Sequence, residues 1–589
     1  MSGEPLHPLQ PRQLINLVQC LCPLQGMNLP NTSLPSGNPA TRSTPVLPDW
    51  RKAAALVVDG NPATRSTLAG QLRTMGLHSV SQVSRISDAR RELERSSFDV
   101  VVCGDEFPRE KGTGQELLDD LRRSGLLPYQ TVFIMLTNEA TYLKVAEAAE
   151  SSVDSYIVRP YSAGSLSDRI EQARLRKAAL LPIYTALEHG KPDDAVQLAR
   201  TRFQERGPQW AQAARLGAEV LLRQERFEES EALFRAIWGA DPKPWAMLGV
   251  ARTQLDAGSP HRAQDTLLAL IEAEPDYPEA YDVLGRVQLE LGHFQAALAN
   301  LEKAFEFTPM AIGRQQRLGM LAYFCGNRDK AVALLERSTY LGLDSKMFDS
   351  ECLVLLGLSA FGQNQAAQLE RHLGELRKRL RAHADDVRLQ RFTDLLAALS
   401  YVQQGHKEKA TTLLGIACTQ VQEPGFDMEA ACNLLCALAW LQRTHAHLTI
   451  DPDVVDRIGR RFATSKAMAE LLSSAAHAHP AYAERLQHSQ NDVIEQVERS
   501  LKAAGQGEPL AALRKLMQVA ESTLNARAVE AAWLVLQRYA AEMTEAAQWQ
   551  ARVGQLRDAY GTARNKPALG DRNLRPSGGV NLGVVEKPV

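Results

Sequence analysis

Several short apolar runs early in the chain end beside residues whose types bear on phosphate and metal chemistry. They end at Asp59, at Gly104 and Asp105, at Thr137 and at Arg159. Phosphoryl transfer to a carboxylate needs a nucleophilic aspartate, together with a Mg²⁺ ion held by hard oxygen ligands. The residue types therefore direct attention to phosphoryl transfer, provided that the fold brings these ends together.

The apolar runs alternate with amphipathic stretches between residues 51 and 178. The predicted strands are 53–59, 78–83, 99–103, 132–137 and 155–158, and the predicted helices are 65–75, 86–95, 115–123, 139–150 and a stretch from residue 165 onward. Five strands rich in β-branched residues alternate with five helices. This alternation predicts a doubly wound α/β fold around a parallel sheet. In such sheets the functional loops lie at the carboxyl ends of the strands, where the residues named above would meet.

Four motifs in this region carry a family resemblance. They are VVDGNP at 57–62, DVVVCGDEFP at 99–108, IMLT at 134–137 and YIVRPY at 156–161. In order and spacing they resemble the receiver domain of bacterial response regulators. The resemblance implies the strand order 2-1-3-4-5, in agreement with the pattern of strands and helices.

The sequence departs from the family at positions that matter for chemistry. Typical receivers carry two adjacent acids after the first strand, a phosphoacceptor aspartate after the third, Thr or Ser after the fourth and Lys-Pro after the fifth. Gly60 stands in place of the second acid, Gly104 in place of the phosphoacceptor, and Arg159 in place of the lysine. The positions that keep the family's pattern are Asp59, Thr137 and the switch aromatic Tyr156.

These departures predict a pseudo-receiver, because the two glycines remove a metal ligand and the nucleophile together. Arg159 is still cationic and is expected to pair with Asp59, which would hold the site closed. Asp105 lies one residue past the acceptor position, so strand alternation should aim it away from the pocket unless a bulge intervenes. The alternative is a functional response regulator that is phosphorylated on Asp105.

A 34-residue period begins near residue 180. Small residues recur at 217, 251, 285 and 319, turn glycines at 190, 258, 292 and 326, and leucines at 233, 267, 301 and 335. With Leu-Gly at 284–285 and 318–319 and closing prolines at 275 and 309, this period resembles the tetratricopeptide repeat. Two longer, irregular units are centred on Gly362 and Gly405, so the array is expected to span 180–415 as a superhelix of stacked helix pairs.

Tetratricopeptide arrays typically bind peptides or protein segments on the inner surface formed by their first helices. The resemblance transfers this groove to six positions in three successive repeats, which are Trp245 and Arg252, Asp282 and Arg286, and Gln316 and Met320. Arginine can grip a carboxylate there, and tryptophan or methionine can pack against a side chain. The alternative is that these residues are only the solvated face of amphipathic helices.

The remaining segments are less informative. Residues 1–49 and 563–589 are rich in Pro, Gly, Ser and Asn and are predicted to be disordered, and residues 420–562 are predicted to be helical with no readable function. The formal net charge of −2 gives no support to nucleic-acid binding. No stretch of about 20 apolar residues suggests membrane insertion. Eight scattered cysteines favour a reducing, cytoplasmic location and give no metal-binding spacing.

The combined prediction is a non-enzymatic adaptor of a bacterial two-component system, without catalytic residues, metal or cofactor. Its pseudo-receiver would dock a histidine kinase, a phosphotransfer protein or another response regulator. The expected docking surface is the face around Tyr156 and the last two helices. The repeats would bind an effector protein.

Overall fold

The computed structural model describes residues 52–107, 113–123, 126–138, 153–309, 311–343, 345, 347–444, 451–543, 546–562 and 569. The predicted helix 139–150, the extension 1–49 and the tail 563–589 apart from Leu569 lie outside this part of the chain. The chain divides between Val283 and Leu284 into two compact units.

The first unit begins with a five-stranded parallel sheet. Its strands are β1 Ala54–Val58, β2 Ser79–Val83, β3 Val100–Gly104, β4 Val132–Thr137 and β5 Ser155–Val158. The strand order is β2-β1-β3-β4-β5, which confirms the predicted topology. Every residue of β3 and β4 is buried, as expected for central strands covered on both faces.

Four described helices cover the sheet, namely α1 Pro62–Thr74, α2 Ile86–Arg95, α3 Gly114–Arg123 and α4 Ala163–Glu188. Alternate strand residues enter two separate hydrophobic clusters. The cluster on one face includes Leu93 of α2 and Leu121 of α3. The cluster on the other face includes Leu72 of α1 and Ile170 of α4. The period-two alternation of the strands thus builds two cores.

Helix α4 is 26 residues long and passes without interruption through 178–180, the predicted boundary between the receiver and the repeats. Buried ionic contacts fix it to the sheet. Lys177 Nζ lies 2.8 Å from Asp154 Oδ2 and donates a hydrogen bond of 2.5 Å to the Thr131 carbonyl. Near the end of the helix, Glu188 accepts a hydrogen bond from the backbone N–H of Tyr129. One helix therefore packs against the sheet and leads into the first repeat.

The repeats follow as helices that pack in sequence. In the first unit these are α5 Pro192–Gln204, α6 Trp210–Arg223, α7 Phe227–Ala240, α8 Pro244–Asp256 and α9 Pro260–Ala273, and the division between the units falls inside α10 Pro278–Glu290. The turn glycines predicted from the period all have positive φ, which are 67° at Gly190, 75° at Gly258, 79° at Gly292 and 86° at Gly326. Glycine adopts this conformation without the steric cost that a Cβ imposes.

The small residues of the 34-residue period allow the two helices of a repeat to approach closely. A Cβ on Gly285 would lie 2.8 Å from the Leu301 side chain, and a Cβ on Gly319 would lie 2.9 Å from that of Leu335. Each leucine therefore fills the space left by the glycine of its own repeat.

The second unit continues this arrangement and then changes. Its helices are α11 Phe294–Phe307, α12 Ile312–Phe324, α13 Arg328–Gly342, α14 Glu351–Gly362, α15 Ala366–Ala382, α16 Val387–Gln403, α17 Lys407–Gln420, α18 Met428–Thr444, α19 Val454–Phe462, α20 Lys466–Ala475, α21 Ala481–Gly505, α22 Pro509–Thr523, α23 Ala526–Tyr539 and α24 Ala546–Tyr560. The irregular units predicted around residues 362 and 405 are the pairs α14–α15 and α16–α17. Helices α18 and α20 pack against the first helices of the preceding pairs.

Candidate functional site

The carboxyl edge of the sheet gathers the residues predicted from the receiver motifs. Asp59 follows β1, and Asn61 caps the next helix by accepting a hydrogen bond of 2.9 Å from the Ala63 N–H, with Pro62 as the first helical residue. Arg65 donates a hydrogen bond of 2.7 Å to the Asp59 carbonyl. The loop between β1 and α1 is thus held in one conformation, and the Asp59 side chain is 6% exposed.

Asp59 and Arg159 form the ion pair that the sequence predicted. Arg159 Nη2 lies 2.5 Å from Asp59 Oδ2, and Arg159 also donates a hydrogen bond of 3.2 Å to Asn138 Oδ1. The other carboxylate oxygen of Asp59 accepts a hydrogen bond of 2.8 Å from the Asn61 N–H. Both oxygens of this acid are therefore engaged by groups of the chain itself.

The same carboxylate lies directly over Gly104, at the end of β3. A Cβ atom on Gly104 would be 2.9 Å from Asp59 Oδ2 and 3.3 Å from Asp59 Cγ. Any side chain at this position would require the Asp59 carboxyl to move and its pair with Arg159 to change. The ion pair thus lies where the family's phosphoacceptor side chain would begin.

This donor set does not suit the Mg²⁺ ion that the family implies. Mg²⁺ requires near-octahedral oxygen coordination, usually with one or two carboxylates from the protein. Asp59 is occupied by Arg159 and the Asn61 N–H, and Gly60 brings no side chain. Within the described ranges, no group of three or more His, Cys, Asp or Glu residues could hold a metal ion.

Asp105 lies closer to the pocket than the sequence predicted. Its Oδ2 is 3.5 Å from the Thr137 hydroxyl, and its backbone N–H donates a hydrogen bond of 2.9 Å to the Leu136 carbonyl. The prediction that strand alternation aims Asp105 away from the pocket is wrong, because β3 ends at Gly104 and the alternation ends with it. Burial raises the pKa of the Cys103 thiol, and the nearby carboxylates of Asp59 and Asp105 raise it further.

Two further features shape this edge. Thr113 and Glu116 form a capping box, since each accepts a hydrogen bond from the backbone N–H of the other, at 3.2 and 2.9 Å. The motif was legible in the sequence as Thr-x-x-Glu. Gly114 begins α3 against the Gly104 carbonyl, which would clash with a Cβ at that position. Tyr156 is half-buried and packs against the sheet core.

The predicted groove residues of the first unit are buried or half-buried. Trp245 is half-buried, and the Arg215 guanidinium lies 4.6 Å from the centre of its ring. Arg252 is 6% exposed and pairs with Glu219 at 2.5 Å. Burial lowers the pKa of Arg252, but the Glu219 carboxylate outweighs this effect and the pKa lies above its usual value. Asp282 is also buried.

The second unit corrects two groove predictions. Gln316 and Met320 are both 0% exposed, so they cannot line an open groove. Gln316 instead donates a hydrogen bond of 3.0 Å to the Met347 carbonyl and accepts one of 2.6 Å from the Asp349 N–H. The physical reason is that α12 is covered by the helices that follow it, including α14 and α20. Arg286 remains half-buried.

A buried acidic cluster in the second unit was not predicted from the sequence. It is formed by Asp349, Glu351 and Glu429 around Arg388. Arg388 lies 2.7 Å from Asp349, 3.2 Å from Glu429 and 3.6 Å from Glu351. Asn433 donates a hydrogen bond of 2.7 Å to Glu351 Oε1. Burial, followed by the charge of Glu429, raises the pKa of Glu351 well above its usual value. No sequence signal joined these residues, because Asp349, Glu351 and Arg388 belong to repeats of irregular length and Glu429 lies beyond the predicted array.

Comparisons with known proteins agree with this geometry. Residues 55–171 match the response regulator receiver domain model, and residues 183–243, 221–287 and 278–309 match tetratricopeptide repeat models. The chemotaxis protein CheY of Pseudomonas aeruginosa is 30% identical over 117 residues, covering 20% of this chain and 92% of that protein. Chemotaxis protein CheY-3 of Vibrio cholerae is 29% identical, covering 20% of this chain and 88% of that protein.

Two solved structures are similar to parts of this chain. The chemotaxis response regulator CheY4 of Vibrio cholerae is 23% identical, covers 21% of this chain and 98% of its own, and has a TM-score of 0.19. A tetratricopeptide repeat protein from Parabacteroides merdae is 14% identical, covers 40% of this chain and 89% of its own, and has a TM-score of 0.29.

The sheet, its edge residues and the helical array thus define a receiver domain joined to tetratricopeptide repeats. The chain belongs to the response-regulator receiver family through residues 55–171. In the part of the chain that the structure describes, no helix is both long enough and apolar enough to span a membrane.

Proposed function

We propose that this chain is a non-enzymatic, cytoplasmic adaptor of a bacterial two-component phosphorelay. Its receiver acts as a pseudo-receiver that docks a histidine kinase, a phosphotransfer protein or another response regulator, and its repeats bind an effector protein. A receiver and tetratricopeptide repeats in one chain indicate two-component signalling through protein contacts.

The observation that carries the pseudo-receiver proposal is the position of the Asp59 carboxylate. It is paired with Arg159 at 2.5 Å and lies over Gly104, where the family's acceptor side chain would start. A phosphoryl group at this edge would meet neither a nucleophile at position 104 nor a free pair of acids for Mg²⁺. Signalling would then depend on the surface of the domain, including the exposed part of Tyr156.

The second candidate function is a response regulator that is phosphorylated on Asp105. The contact of 3.5 Å between Asp105 and Thr137 favours it, because the hydroxyl after the fourth strand is part of the family's pocket. Against it, Asp105 lies past the end of β3 and the carboxylate of Asp59 is already held by Arg159. The variant Asp105→Ala separates the two functions, since it removes only the alternative acceptor.

Partner recovery tests the adaptor function as a whole. Tagged full-length chain, used as bait in the native lysate, is expected to recover a histidine kinase, a phosphotransfer protein or an output enzyme. The recovered set is expected to be the same with and without acetyl phosphate and Mg²⁺, because docking does not depend on a phosphorylated state. Recovery of no such protein, or recovery only after treatment with the phosphoryl donor, would count against the adaptor.

The repeats are expected to contact the effector through residues that remain partly exposed. Trp245 and Arg286 meet this condition, whereas Gln316 and Met320 do not. In the same recovery experiment, Trp245→Ala is expected to reduce the effector and to leave the signalling partner of the receiver unchanged.

A further inference from the structure

A groove lies between two of the last helices of the second unit, in the region 420–562, for which the sequence indicates no function. Helices α21, α22, α23 and α24 pack in sequence, and α22 also contacts α24. The turn before α22 contains Gly507, whose φ is 95°, and Ala512 follows five residues later, as in the repeats. The array of helix pairs therefore continues here, and it carries a groove of about 490 Å³ between α22 and α24.

The residues that line this groove are of the types found in protein interfaces. Arg514, Met517 and Glu521 share one face of α22, because residues three and four apart in a helix lie side by side. Trp549 and Arg552 line the groove from α24 at the same spacing. Met517 is buried and Trp549 is half-buried, so the apolar part of the groove is held by the helix core. Tryptophan, methionine and arginine are enriched where proteins bind one another.

The groove carries an excess of positive charge. Its charged lining residues are two arginines and one glutamate. Arg552 pairs with Glu521 at 2.6 Å, and its guanidinium lies 5.8 Å from the centre of the Trp549 ring. Arg514 is exposed and has no ion-pair partner among the described residues. The Arg514 guanidinium is therefore available to a carboxylate, which it can bind through two parallel hydrogen bonds.

The dimensions and the charge of the groove limit the kind of ligand. From Arg514 to Glu521, α22 rises by about 10 Å, which an extended segment of about three residues covers. A nucleic acid is bound through several phosphates, each neutralised by a cation. The groove offers the unpaired charge of Arg514 beside the paired charges of Arg552 and Glu521, which suits a single carboxylate next to an apolar side chain.

We propose that the groove between α22 and α24 binds a short acidic segment of a partner protein. A carboxylate of the segment pairs with Arg514, and a neighbouring aliphatic or aromatic side chain packs on Met517 and Trp549. Glu521 holds Arg552 beside the Trp549 ring and so positions the apolar wall of the groove. The site uses residues of neither the receiver nor the predicted groove of the repeats, so it gives the chain a further protein contact.

The test is a selection from a random peptide library displayed on phage, with the full-length chain as bait. Peptides that wild type selects and Arg514→Glu does not are expected to carry net negative charge and at least one aliphatic or aromatic residue. One such peptide, labelled with a fluorophore, should bind wild type at least about tenfold more tightly than Arg514→Glu in an anisotropy titration. Trp549→Ala should weaken the same peptide. Because Arg514 is exposed, its replacement leaves the helix core intact.

The matched control is Arg499→Glu, which reverses the charge of an arginine on α21 outside the groove. Arg499 is 71% exposed and pairs with Glu495, and this variant should bind the peptide as wild type does. Loss of no acidic peptide in Arg514→Glu, or an equal loss in Arg499→Glu, would overturn the proposal. So would binding of an oligothymidylate that depends on Arg514 while no peptide does. None of these results changes the partners recovered through the receiver, so they are distinguishable from failure of the adaptor function.

Discussion

Replacing Arg388 with methionine is expected to lower the free energy of unfolding of the second unit by about 3–5 kcal/mol, because breaking a buried ion pair leaves uncompensated charge. Arg388 faces Asp349, Glu351 and Glu429, and its own side chain is 20% exposed. Methionine keeps the apolar stem that packs near Phe392, over whose ring the guanidinium lies at 4.5 Å. The expected loss is therefore mainly electrostatic. Urea denaturation followed by circular dichroism measures it.

The matched control for Arg388→Met is Arg371→Met. Arg371 pairs with Glu336 at 3.1 Å, and both side chains are about half exposed, at 56% and 48%. Exposed pairs contribute little, so this variant is expected to lose less than about 1 kcal/mol. If the two variants lost the same free energy, the buried cluster would not depend on Arg388.

Replacing Lys177 with methionine is expected to cost a similar amount, about 3–5 kcal/mol, in the first unit. The Lys177 and Asp154 side chains are 5% and 9% exposed, and their charged atoms are 2.8 Å apart. Lys177 also donates a hydrogen bond to the Thr131 carbonyl. Its loss would leave the buried Asp154 carboxylate without this cation and would weaken the contact between α4 and the sheet. The same urea denaturation experiment should therefore show a lower midpoint urea concentration for the receiver.

The control for Lys177→Met is Lys303→Met. Lys303 lies 2.9 Å from Glu306, but the two side chains are 49% and 58% exposed. We expect a loss below about 1 kcal/mol, since water screens this pair. A loss for Lys177→Met that is no larger than this would show that the buried pair does not anchor α4.

Much of the fold could be predicted from the sequence because it depends on local periodicity. The buried strands of the receiver are continuous apolar runs, and their parallel arrangement follows from alternation with helices. The strand order 2-1-3-4-5 was implied by the resemblance to receiver domains. The repeats were legible because glycines at 285 and 319 recur with a fixed period and face leucines of the same repeat. The ion pair between Asp59 and Arg159 was predictable because parallel strands bring their carboxyl ends to one edge.

Other features could not be predicted because they depend on tertiary packing. Gln316 and Met320 have the spacing of groove residues, but the helices that follow α12 bury them. The position of Asp105 depends on where β3 ends, which no periodicity specifies. Glu429 accepts a hydrogen bond from the Leu569 N–H, 140 residues away, and the two residues share no pattern. The continuity of α4 was hidden by the change from a receiver motif to a repeat motif within one helix.

The proposal that the receiver signals without accepting a phosphoryl group is tested by intact-mass measurement after incubation with acetyl phosphate and Mg²⁺. Wild type and Asp105→Ala are both expected to keep their unmodified mass. A receiver of the same family with its acids intact serves as the positive control for the reagent. A phosphoryl adduct on wild type that disappears in Asp105→Ala would contradict the claim and establish Asp105 as the acceptor.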